Sequence, residues 1–168
     1  MVVDVQTVSI AIASASVVAG IVYYAFQVRH QTRLRETDLV VRLYSAFNTD
    51  DFLEAFLKVR NLEFVDYRDF VKKYGSPSLE TPVNVAIFRI GNYYDQVGTL
   101  LHRGLVDADL VSDFLVLSTI GQWNKLKPIV EGFRKEAGGG QYYFWFEYLY
   151  NEMKKREQKL QQSGAKSG

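Results

Sequence analysis

VNVAIFRIGNYYDQVGTLL, residues 83–101, places Val83, Ile87, Ile90, Tyr94, Val97 and Leu101 at steps of 4, 3, 4, 3 and 4. That is the period of a helix burying one stripe against another helix. Thr81-Pro82 before it supplies a capping side chain and a proline at the first helical position, and Gly104 after it supplies a stop. The loop Gly75-Ser76-Pro77-Ser78-Leu79-Glu80 separates this helix from what precedes it.

Working outward, the same period recurs on both sides. Asn48-Thr49-Asp50-Asp51 offers cap-forming side chains and two acids for a helix amino terminus. Phe52, Leu53, Phe56, Leu57 and Val59 follow, and Asn61 to Tyr74 reads as a further helical piece with Phe64, Tyr67, Phe70 and Val71. On the other side Asp107 opens a helix bearing Leu110, Phe114, Leu117 and Trp123. Pro128 is expected to start the next helix, and Gly138-Gly139-Gly140 forms a hinge before a last helix from about Gln141 to Gln162. Strand-like alternation is scarce and the hairpin dipeptides Asn-Gly and Asp-Gly are missing. The expected fold is all-α, a bundle of five or six helices.

Farther upstream the composition changes. From Val5 to Val28 there is no charged residue, and about twenty helical residues at roughly 1.5 Å each cross a hydrocarbon core of about 30 Å. A signal peptide would carry a basic amino-terminal region, whereas the only charge before this run is Asp4. A transmembrane anchor is therefore expected. Arg29, His30, Arg33 and Arg35 follow it, so the positive-inside rule puts the amino terminus outside and the carboxyl terminus in the cytoplasm. No glycine or proline falls between Ile21 and Tyr74, which lets the helix continue. The expected organisation is an anchor over 1–28, a helical stalk over 29–47, a helical cytoplasmic domain over 48–162 and a disordered tail over 163–168.

Ala11, Ala15 and Ala19 recur at intervals of four in the span, and Ser16 stands four before Gly20. Small residues at that spacing let two membrane helices approach closely. They are candidates for association with a second copy or a partner membrane protein, or filler in a lone anchor.

Chemistry is harder to find. The chain has 168 residues, twenty basic against nineteen acidic side chains, and no cysteine. Two full enzyme domains, a disulfide framework, a thiol nucleophile and thiolate metal sites are excluded. The near-neutral charge disfavours nucleic acid as a partner. His30 and His102 are the only histidines and cannot assemble a zinc triad. No phosphate-cradling or dinucleotide glycine motif is present, so no cofactor or metal is expected. Asn92, Asp95, Thr99 and His102 follow one side of the clear helix, a solvated row or a cryptic acid–base site. Tyr142-Tyr143-Phe144-Trp145-Phe146, with Tyr148 and Tyr150, covers nearly every face of its helix, which implies burial, a protein interface or headgroup contact. Arg134 and Glu147 flank the glycine hinge and are expected to pair as neighbours on antiparallel helices, with an arginine elsewhere, such as Arg89, as the alternative partner of Glu147.

Three pieces carry a family likeness: residues 92–98 leading to Arg103-Gly104-Leu105-Val106-Asp107; Trp123 with Leu126, Pro128, Ile129 and Arg134; and Phe146-Glu147-Tyr148-Leu149. Over roughly residues 85–150 the chain resembles an uncharacterised prokaryotic family of short proteins with one amino-terminal span and a helical cytoplasmic domain. The resemblance implies architecture and anchoring but no catalytic residue. Its polar members are Asn92, Asp95, Arg134 and Glu147, with Asp95 standing where a glutamate is often found. The functional expectation is a membrane-tethered interaction or scaffold protein without catalysis, with the lipid bilayer as one partner. The alternative is a small-ligand sensor or membrane-linked hydrolytic effector with a site around Asp95.

Overall fold

The computed structural model describes residues 4–138 and 140–164. Among them it contains six helices and no strand: α1 Val5–Phe47, α2 Asp50–Arg60, α3 Tyr67–Tyr74, α4 Pro82–His102, α5 Ala108–Ala137 and α6 Phe144–Gly164. The chain divides into two compact units after Asp38.

The amino-terminal unit is helical from Val5 onward. One helix, α1, is long and apolar enough to cross a membrane. Ile12, Val17, Ile21 and Phe26 are all more than 60% exposed. Ser9 and Ser16 return their hydroxyls to the carbonyls of Val5 and Ile12, each at 2.9 Å, which removes free donors from an apolar surface. Ala15, Ser16, Ala19 and Gly20 are exposed, and Gly20 has open space where a Cβ would stand. The side chain of Ala11 lies outside the described ones, as do Gly139 and residues 165–168.

The second unit is the helical bundle, and its start sites follow local chemistry. Thr49 Oγ1 accepts the Phe52 N–H, Thr81 Oγ1 accepts the Asn84 N–H, and Asp107 Oδ1 accepts those of Asp109 and Leu110. Each satisfies amide groups that a helix amino end leaves unpaired. The stripe expected on α4 is largely interior, with Ile90, Tyr94 and Val97 fully buried. Phe146 of α6 stacks on Tyr94 with ring centroids 4.7 Å apart, and Trp123 of α5 meets Phe146 edge-on at 4.9 Å. These rings tie α4, α5 and α6 together.

Three boundaries differ from the sequence reading. Residues 61–66 are not helical: Asn61 caps α2 and Asp66 caps α3, its Oδ1 accepting the Asp69 N–H at 2.9 Å. Two polar cap formers five residues apart outcompete the apolar period. Pro128 does not start a helix but lies inside α5. The proline deprives only the Asn124 carbonyl of its donor, and both residues are on the solvent side, where water can take over. Finally, α6 starts at Phe144 rather than Gln141, because Tyr143 takes a left-handed φ of 53°.

Candidate functional site

The polar residues singled out in the sequence meet the structure mostly at one place, the junction that launches α6. Helix α4 presents Gly91, Asp95 and Gly98 at helical steps of 4 and 3. Asp95 Oδ1 accepts the backbone N–H of Trp145 at 2.9 Å and of Phe146 at 3.0 Å. Those amides belong to the unpaired first turn of α6, where a negative charge also meets the positive end of the helix dipole. The cap of α6 thus comes from another helix. Thr99 Oγ1 is spent on the Asp95 carbonyl at 2.9 Å.

The two glycines make that cap reachable. A Cβ at Gly98 would overlap the Trp145 carbonyl, and one at Gly91 would overlap the phenol ring of Tyr143. Backbone and ring can lie on α4 only where α4 has no side chain. Tyr143 is buried in its left-handed conformation, which costs a residue with a Cβ about 1–2 kcal/mol. Burial pushes its phenol pKa up, and its hydroxyl has no hydrogen-bond partner among the described residues.

A second clamp comes from α5. Arg134 Nε donates to the Tyr142 carbonyl at 2.9 Å, and Arg134 Nη1 donates to Glu147 Oε2 at 2.6 Å. The arginine side chain is 16% exposed and the glutamate 37%, so the pair is only partly screened by water. Asp95, Arg134 and Glu147 therefore all act on residues 142–147. Asn92 does not join them; it lines a shallow groove with Phe52, Phe88 and Gln96. His102 lies against Trp145 with centroids 4.3 Å apart, and edge-on to Tyr148 at 5.3 Å.

Chemically, this is a junction that holds a helix start in place. The Asp95 oxygen is engaged by two backbone donors, and the guanidinium is divided between a carbonyl and a carboxylate. No group of three or more histidines and carboxylates suited to a metal ion occurs among the described residues. The aromatic segment splits between roles: Tyr143, Phe146 and Leu149 are buried, whereas Phe144 is exposed.

Residues 11–153 match the family DUF4760, described as a domain of unknown function. The chain belongs to that family. No curated protein and no solved structure matches it. The junction of this DUF4760 member draws on residues 91–98, 134 and 142–147, all inside the matched region. In the sequence, Gly98 only closes the segment 92–98 that carries the family likeness, and Gly91 lies just outside it; neither stands out as a contact site. Their signal was present: two glycines seven apart inside a strongly apolar helix, each about 1 kcal/mol worse than alanine there, with an acid between them. The left-handed turn at Tyr143 left no such mark.

Proposed function

We propose that this DUF4760 member is a single-pass, membrane-anchored helical module that works as an interaction or scaffold protein at the cytoplasmic face, without catalysis of its own. The observation that carries the reading is the apolar surface of α1. Its large side chains between Ile12 and Phe26 are exposed among the described residues. Burying each would be worth about 1.5–3 kcal/mol, and a bilayer supplies that burial. The asymmetry of Asp4 before the run against Arg29, Arg33 and Arg35 after it favours an outside amino terminus and a cytoplasmic body. The non-catalytic part is supported by the engagement of Asp95, Arg134 and Glu147 in positioning α6.

Membrane fractionation tests the anchor: the full chain is expected to sediment with membranes and resist extraction at alkaline pH. Recovery in the soluble fraction would overturn it. A carboxy-terminal reporter should be active only in the cytoplasm, and activity outside would reverse the orientation. A thermal shift of the purified chain with nucleotides or divalent metals would favour a ligand-sensing role instead.

A further inference from the structure

Helix α5 carries a second regular face opposite its buried one. Leu110, Phe114, Leu117, Gly121, Asn124 and Pro128 follow at steps of 4, 3, 4, 3 and 4, the spacing of a seam that meets another helix. None of the six is charged. Five are exposed, Leu117 by 74%. Tyr44, itself exposed, touches Phe114 edge-on at 5.9 Å and widens the apolar surface at the amino end of the seam. In the middle lies a notch, because nothing stands within 4 Å of where a Gly121 Cβ would be. A largely bare leucine one turn from a glycine is a poor choice for a solvated helix, since the glycine gives up about 1 kcal/mol relative to alanine. The same two residues suit a knob and its hole.

The flanking charges say which partner fits. Asp109 and Asp113 border the amino half of the seam, where Arg156 pairs with Asp109 at 3.2 Å, while Lys125 and Lys127 border the carboxyl half, where Glu131 pairs with Lys127 at 3.7 Å; one acid is left over in the first half and one base in the second. The two halves therefore carry opposite net charge. A parallel copy of α5 would set acid against acid; an antiparallel copy sets acid against base and opposes the helix dipoles favourably. We infer that α5 is a self-association surface, pairing antiparallel with α5 of a second copy so that Leu117 of each chain seats in the Gly121 notch of the other. A single helix seam is smaller than the ~800 Å² per partner of a free-standing interface. Confinement of both copies to one bilayer raises their effective concentration, and for that strength the inference rests on the anchored reading above.

The absence of cysteine from the chain makes the test direct. Single cysteines are introduced into the full-length protein in membranes and treated with a short bis-maleimide. Leu117→Cys should cross-link to itself. Leu110→Cys alone should not, because antiparallel pairing carries the two copies of that residue to opposite ends of the seam, but it should cross-link when mixed with Pro128→Cys, the residue that faces it when Leu117 meets Gly121. Gly121→Glu, at an open surface position, should leave the thermal midpoint in place. It should also cut the Leu110–Pro128 cross-link about tenfold or more, by putting an unpaired carboxylate into the seam.

Self-cross-linking of Leu110→Cys would overturn the antiparallel arrangement. No Leu117→Cys dimer, a Leu117→Cys product of heterologous mass, or indifference to Gly121→Glu would overturn self-association through this face. Sedimentation of the same samples reads the anchor separately: a soluble chain that still cross-links refutes only the anchor, and a sedimenting chain that does not refutes only the seam.

Discussion

Asp95 and Gly98 act as one device, an acceptor for the first turn of α6 and the space that lets that turn come close. Replacing Asp95 with alanine leaves two amides without an acceptor in a partly buried place, and each such loss costs about 1–3 kcal/mol before relaxation. We expect Asp95→Ala to lower the unfolding free energy of the detergent-solubilised protein by about 2 kcal/mol, with Asp95→Asn in between because it keeps one acceptor oxygen. Gly98→Ala should cost about 1–3 kcal/mol, since the atom in the way is a backbone carbonyl and cannot rotate aside. Gly121→Ala, facing open space, should instead be neutral or stabilising by up to about 1 kcal/mol. Equal effects of the two glycine substitutions in urea titrations would remove the close-approach argument. At the second clamp, Arg134→Ala and Glu147→Ala should each destabilise, and the double variant should lose less than their sum by about 0.5 kcal/mol or more. Strictly additive losses would mean that the guanidinium works through the Tyr142 carbonyl alone.

At the scale of elements, what could be read in the sequence depended on whether the deciding interaction was local. The period of Val83 to Leu101 and the caps at Thr49, Thr81 and Asp107 involve residues within four positions of each other, and the structure has those helices where the pattern puts them. Residues 61–66 read as helical because Phe64 sits at helical spacing from Tyr67 and Val71 while the competing caps, Asn61 and Asp66, are single polar residues. Pro128 was misread because a proline breaks a helix only when the orphaned carbonyl has nowhere to turn. The site was legible as a set of residues but not as a geometry: that Asp95 faces Trp145 depends on a contact fifty positions away. Two substitutions test this account of α5. Pro128→Ala restores a donor for the Asn124 carbonyl within a helix that is already continuous, so the thermal midpoint should rise; a fall would show that the proline shapes α5. Trp123 is 1% exposed and bridges α5 to Phe146 and Tyr150 of α6, and Trp123→Ala should cost about 3–5 kcal/mol. A loss below about 1 kcal/mol, the scale of surface changes, would place the ring outside the core.

Across the whole bundle, tyrosines do much of the packing that leucines do elsewhere, and this gives the body a pH dependence of definite sign. Burial pushes the phenols of Tyr93, Tyr94 and Tyr143 up from the ordinary value. Tyr67 is pushed up to about 12 by burial and then by its hydrogen bond to Glu136. In the unfolded chain all of them ionise near pH 10. Their contribution to stability is therefore complete below about pH 10 and is lost as the pH climbs toward and past the folded values, because only the unfolded state can release those protons. The acid side is gentler. Asp69 is held below the usual carboxylate range by its hydrogen bond to Lys73, and Glu152 by Lys155 with help from Arg156; what they contribute is present above the ordinary carboxylate pKa and disappears as pH falls through their lowered values. Both pairs lie at the surface, where ion pairs are worth little. The body should therefore hold its thermal midpoint from neutrality to about pH 9 and lose it steeply above about pH 10. Tyrosinate absorbance should rise in step with loss of helical circular dichroism. If instead every phenol of the body ionised near pH 10 with the helices intact, the packing assigned to Tyr93, Tyr94 and Tyr143 would be wrong, and with it the seating of α6 on α4.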